Sequence, residues 1–190
     1  MYATLHKAAK AHDDSLWSVA WTAETNKIVT SSVDASVRVW NGETFAAEHQ
    51  FKGGHLLGVH SVDVSADGAL AVSASLDSQI CLWDLQAKAL LRTIDPGPAE
   101  AWKACFSPKG NVLATGSHSG AINLWTVADG SKAASLETKG GFALAVAFSP
   151  NGETVACGTE KGAVYVFDVE SKKQINKFEG MCVSSCCAGP

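Results

Sequence analysis

The sequence predicts an all-β protein of four antiparallel, four-stranded sheets, one for each repeat of about 42 residues. Three observations carry that prediction. An aromatic residue closes an apolar run at a fixed interval: SSVDASVRVW ends at Trp40, SASLDSQICLW at Trp83, TGSHSGAINLW at Trp125 and CGTEKGAVYVF at Phe167, at spacings of 43, 42 and 42 residues. The turn glycines Gly68, Gly110 and Gly152, in ADG, PKG and PNG, recur every 42 residues. Within one period the apolar residues alternate or run on over short stretches cut by Gly, Asp, Asn and Ser, which is the pattern of strands and hairpins.

The last period shows the elements in order. Its first run, 142–148, leads into the turn glycine of PNG, and the second run, 154–157, leaves it. The second and third runs, 154–157 and 163–167, are nearly continuously apolar, as expected of strands buried on both faces. A fourth run, 174–178, completes the sheet. One such sheet cannot bury both faces alone, so it must stack on copies of itself, and radial stacking gives a β-propeller. The blades are expected at 12–54, 55–97, 98–139 and 140–180. Residues 1–11 then hold a strand, at 2–7, placed as the outermost strand of a closing blade that the chain does not supply, and residues 181–190 form a non-repeat, disordered tail.

Composition limits what such a protein does. Of 190 residues, 46% are apolar and 18% charged, a globular balance. The formal charge is −4 with the basic residues scattered, so neither a phosphate backbone nor an anionic membrane is an expected ligand. The N-terminus lacks the apolar segment of a signal peptide, and the run 142–148 is far too short to span a membrane. Cys81, Cys105 and Cys157 stand singly in apolar runs and Cys182, Cys186 and Cys187 crowd near the end, which is no disulfide framework and points to a reducing compartment.

His12, Ser32 and Asp34 have the residue types of a nucleophilic triad. His55, Ser75 and Asp77 repeat the set in the next period, with Asp six and Ser eight residues before the Trp in both. Chemistry has no need of a duplicate in the adjacent sheet, whereas a buried network that ties each sheet together does. With Trp40 and Trp83 as indole donors, these residues are expected to form a structural chain. The third and fourth periods have Ser119 and Lys161 at the Asp position and should rely on packing. His55 and His60 lack further ligands for zinc, and no phosphate-binding loop occurs, so no catalytic residue, metal or cofactor is expected.

A partner is expected at the rim of the central channel. The register positions there are Trp17, His60, Trp102 and Leu144, each four residues before the apolar Trp21, Val64, Phe106 and Phe148. Exposed aromatic side chains in such a place suit a protein interface.

Gly54-His55 and Trp83-Asp84 resemble the two ends of a WD repeat, with Trp40-Asn41 and Phe167-Asp168 as variants. The segments AHDDSLWSVAW, LLGVHSVDVS, DPGPAEAWKACFSP and FDVESKKQINKFEG, with a third repeat lacking His, resemble more narrowly the WD-repeat subunits shared by the superkiller RNA-decay complex and the Paf transcription elongation complex. That resemblance runs from about residue 12 to residue 180. It implies a seven-bladed, non-catalytic scaffold joining helicase and helical-repeat subunits in the cytosol and elongation-complex subunits in the nucleus, binding by the face that carries Trp17, His60 and Trp102. A generic adaptor, such as a ubiquitin-ligase receptor, is the alternative, although Trp83-Asp84 is followed by Leu85 and Gln86 and not by x-Arg. Four repeats in place of seven suggest a truncated product. Such a product would expose an apolar sheet face at each end and self-associate, lean on a partner, or lack independent function.

Overall fold

The computed structural model describes residues 10–98, 100–139 and 141–179. Among them lie sixteen strands and no helix. The strands form four antiparallel sheets, each in chain order. The first holds β1 (Leu16–Trp21), β2 (Lys27–Ser32), β3 (Val37–Asn41) and β4 (Ala47–Phe51). The second holds β5 (Val59–Val64), β6 (Leu70–Ser75), β7 (Ile80–Asp84) and β8 (Ala89–Ile94). The third holds β9 (Lys103–Phe106), β10 (Val112–Gly116), β11 (Ala121–Thr126) and β12 (Lys132–Glu137). The fourth holds β13 (Ala143–Phe148), β14 (Thr154–Thr159), β15 (Ala163–Asp168) and β16 (Gln174–Glu179), on the four runs read from the sequence. The strand expected at 2–7 and the tail at 181–190 lie outside the described residues, as do Cys182, Cys186 and Cys187.

The turn glycines explain the hairpins between the first two strands. Gly68, Gly110 and Gly152 have φ of 67°, 75° and 68°, where a side chain is strained and glycine is not. Each amide donates to a serine carbonyl three residues back, on Ser65, Ser107 and Ser149, at 2.8–2.9 Å. The Ser65 and Ser149 hydroxyls accept the amides of Leu70 and Thr154, pinning the next strand. In the first sheet Thr22 does this for the Lys27 amide.

Burial follows position in the sheet. The middle strands β6, β7 and β11 are almost wholly buried, whereas β16 is exposed along its length. The chain forms two compact units, Met1–Pro96 and Gly97–Pro190. In the first, Val29, Val39 and Phe51 of one sheet pack with Val59, Val62 and Trp83 of the next. In the second, Cys105, Ile122, Leu124 and Leu136 pack with Val146, Val155, Tyr165 and Phe167. Removing this apolar surface from water, at about 25 cal/mol per Å², is what holds each pair of sheets together.

Two irregularities recur. The pairing of the third with the fourth strand slips at the closing aromatic, at Trp40, Trp83, Trp125 and Phe167. The pairing of the first with the second strand slips so that Trp17, His60 and Leu144 are each left as an extra residue.

Candidate protein-binding rim

In the first two sheets the polar side chains form a relay from the closing tryptophan to an aspartate. Trp40 Nε1 donates to Thr30 Oγ1 at 2.9 Å, and Thr30 Oγ1 lies 2.8 Å from His12 Nε2. His12 Nδ1 lies 3.0 Å from Asp34 Oδ2. The second sheet repeats it: Trp83 Nε1 donates to Ser73 Oγ at 2.7 Å, Ser73 Oγ is 2.7 Å from His55 Nε2, and His55 Nδ1 is 3.2 Å from Asp77 Oδ2. The proton bookkeeping closes with a neutral imidazole carrying its hydrogen on Nδ1. That hydrogen goes to the carboxylate, Nε2 accepts from the hydroxyl, and the hydroxyl accepts from the indole.

Electrostatics agree with this assignment. Burial lowers both histidines from the ordinary value of 6.5, outweighing the nearby carboxylates. Burial works against ionised Asp34, but the Ser36 hydroxyl, the Asp13 and Ser36 amides and His12 hold its carboxyl far below the usual range. Asp77 is likewise lowered against burial, by the Leu56 and Gln79 amides and His55.

The hydroxyl of the relay is therefore Thr30 and Ser73, which corrects the expectation of Ser32 and Ser75. The reason lies in the register. Ile28 pairs with Trp40 and Ala71 with Trp83, so each indole reaches two residues along the same face, to Thr30 or Ser73, and stops one pleat short of Ser32 or Ser75. Those serines tie the incoming loop to the hairpin turn. Ser32 Oγ donates to the Asp14 carbonyl and accepts the Asp34 amide; Ser75 Oγ donates to the Leu57 carbonyl and accepts the Asp77 amide. Gly54 belongs to the same design, because a Cβ there would collide with the Trp83 ring.

The third sheet has a polar substitute, which corrects the expectation that packing alone holds it. Trp125 Nε1 donates to Thr115 Oγ1 at 3.0 Å, and that hydroxyl donates to the Glu100 carbonyl at 3.2 Å. Asn123 Nδ2 donates to the Glu100 carboxylate at 2.7 Å, so Glu100 takes the place of His and Asp together. The fourth sheet puts Cys157 and Phe167 at the hydroxyl and indole positions, and both are buried in the apolar core. Burial pushes the Cys157 thiol up to about 11, so it behaves as an apolar group.

Of the four positions expected at the rim, Trp17, His60 and Leu144 are set by the bulges. An extra residue on one strand breaks the alternation of faces and re-aims its side chain. Trp17 is 47% exposed and stacks on half-buried His60 of the next sheet, with ring centroids 6.4 Å apart. In the second unit Trp102 meets the edge of Phe142 at 5.3 Å, His118 meets Phe142 at 4.6 Å, and Leu144 is exposed. The structure thus joins Trp17 to His60, and gives Trp102 neighbours, Phe142 and His118, that the sequence reading missed. Leu56, Leu57 and Leu76, in the loop entering the second sheet and in its next turn, are also exposed and were missed. The signal for Leu56 and Leu57 was a leucine pair before a glycine, in HLLG. Among the described residues no group of three or more His, Cys, Asp or Glu could hold a metal ion.

A repeat profile described as "WD domain, G-beta repeat" matches residues 3–41, 47–84, 90–126 and 131–168. The chain belongs to the WD40 repeat family. Its four sheets are WD40 blades, and the last three matched segments are offset from them by one strand: 47–84 opens on β4 and closes in β7, so each takes its first strand from the preceding blade. The WD40 chain is similar to WD repeat-containing protein SL1-17 of Schistosoma mansoni, 40% identical over 141 residues, 71% of this chain and 46% of that protein. It is 32% identical over 131 residues to WD repeat-containing protein VIP3 of Arabidopsis thaliana, covering 66% and 40%. It is 32% identical over 109 residues to Superkiller complex protein 8 of Dictyostelium discoideum, covering 56% and 36%. The chain spans less than half the length of each of these relatives.

Proposed function

We propose that this WD40 chain is a non-catalytic scaffold for protein–protein interaction, a subunit of the superkiller mRNA-decay complex, the Paf transcription elongation complex, or both. Its partners are protein subunits, helicase and helical-repeat chains in the cytoplasm and elongation-complex subunits in the nucleus, with no cofactor and no direct contact to nucleic acid or membrane. The observation that carries this reading is the repeated bulge: Trp17, His60 and Leu144 occupy one structural position in three blades, outside the ladder that holds each blade. Trp17 beside His60 in the first unit, and Trp102 and Leu144 in the second, expose side chains that the fold does not use for its core. The likeness to Superkiller complex protein 8 supports the choice of complex.

The test is affinity purification with mass spectrometry, comparing the wild type with the Trp17→Ala, Trp102→Ala double variant. Interface tryptophans each contribute on the order of 1–2 kcal/mol or more, so capture of the complex subunits should fall about tenfold or further while the melting temperature holds. Undiminished capture would remove the rim from the binding surface. Failure of the wild type to recover subunits of either complex would refute the assignment.

A further inference from the structure

The register aligns the blades residue for residue and shows what a bare face is built to meet. The partner of the relay hydroxyl on the first strand is Val19 in the first blade and Val62 in the second. Val62 and Trp83, on one face of the second blade, are each 2% exposed. The first blade covers them: Ser18 lies against Val62, its hydroxyl 3.5 Å from the Val62 carbonyl, and the Phe51 ring lies 4.7 Å from Trp83. In the first blade that same face is open, with Val19 62% and Trp21 56% exposed and Ile28 and Trp40 half-buried.

The fourth blade presents the opposite face, also open. By register Ala145 stands where Ser18 does, Ala147 where Ala20 does, Val164 where Val37 does and Phe178 where Phe51 does. Val37 and Phe51 are buried by the neighbouring blade, whereas Val164 is 38% and Phe178 56% exposed. One chain therefore carries both halves of a contact that it already makes between its first and second blades. The halves match in size: tryptophans and valine on one, alanines, Gly158 and Val164 on the other. None of these side chains is charged.

We propose that the 190-residue chain associates head to tail with a second copy of itself, the open face of the fourth blade of one copy covering the open face of the first blade of the other. Phe178 packs on the partner's Trp40 as Phe51 packs on Trp83, and Ala145 faces the partner's Val19 as Ser18 faces Val62. Such a contact joins two different surfaces, so it either closes or propagates.

Light scattering at micromolar concentration tests this with Val19→Lys and Ala145→Glu, both at exposed positions. The wild type should have at least twice the mass of one chain, and each variant alone should be monomeric with cooperative melting. An equimolar mixture should return to the paired mass, because one contact then matches Lys with Glu and the other is native. Phe178→Ser replaces either variant should it fail to fold, and should also give monomer. Larger assemblies dissolved by these substitutions would show the same contact without closure. A monomeric wild type, association surviving the substitutions, or a mixture that stays monomeric overturns the proposal.

Discussion

Ser73 illustrates how much one hydroxyl carries. It is fully buried, accepts the Trp83 indole and satisfies His55 Nε2. Ser73→Ala leaves two buried polar groups without a partner, at about 1–3 kcal/mol each, while removing little volume. Ser75→Ala should cost less, because the groups it ties, the Leu57 carbonyl and the Asp77 amide, belong to the loop and turn at the end of the strand and are only partly buried. Urea denaturation of the two variants should rank them in that order; an equal or reversed ranking would return Ser75 to the relay. The sequence showed that His, Ser, Asp and Trp recur together, but not which of two hydroxyls on one strand face is used. That choice depends on a cross-strand diagonal, which spacing along the chain does not encode.

Hairpins and bulges differ in how far they can be read beforehand. The turn glycines were visible because a positive φ demands a particular residue. At Gly110 an added Cβ would meet nothing within 4 Å, so only the backbone conformation resists a side chain. Gly110→Ala should cost about 1 kcal/mol, and Gly110→Asn less, since Asn tolerates that conformation. Gly54→Ala should cost more, about 1–3 kcal/mol, because it overpacks the Trp83 ring. Chemical denaturation midpoints would check the order, and a Gly110→Ala loss as large as that of Gly54→Ala would contradict it. The bulges left no residue signature at all: Trp17, His60 and Leu144 share a place and no chemistry. The periodicity pointed to these positions but gave no reason for their exposure.

Across the molecule, both histidine relays lie in Met1–Pro96, and Gly97–Pro190 uses Glu100 or apolar groups instead. His12 faces Asp34, Asp13 and Arg38, and His55 faces Asp77. Both imidazoles have folded values below the unfolded value of 6.5, so the unfolded chain binds more protons in the interval between. Their contribution to stability is complete above 6.5 and is lost as pH falls through the folded values. Asp34 and Asp77, also lowered, add a second loss below the ordinary carboxylate value of 3.8. Hydrogen exchange should therefore show protection in β1 to β8 falling first as the solution is acidified below 6.5, with β9 to β16 holding to lower pH. Simultaneous loss in both would contradict the assignment. Four sheets from four periods was legible at this scale, because repetition is itself a sequence property. How the third blade replaces His and Asp with one glutamate was not, since Glu100 precedes its strand in a stretch with no apolar pattern.

The extra residue near the start of β1, β5 and β13 has an evolutionary corollary. A position outside every rung of a ladder can drift through tryptophan, histidine and leucine without disturbing the neighbours that keep the protein folded. Lineages that inherit this architecture can rewrite that surface one letter at a time while the masonry behind it stands unchanged.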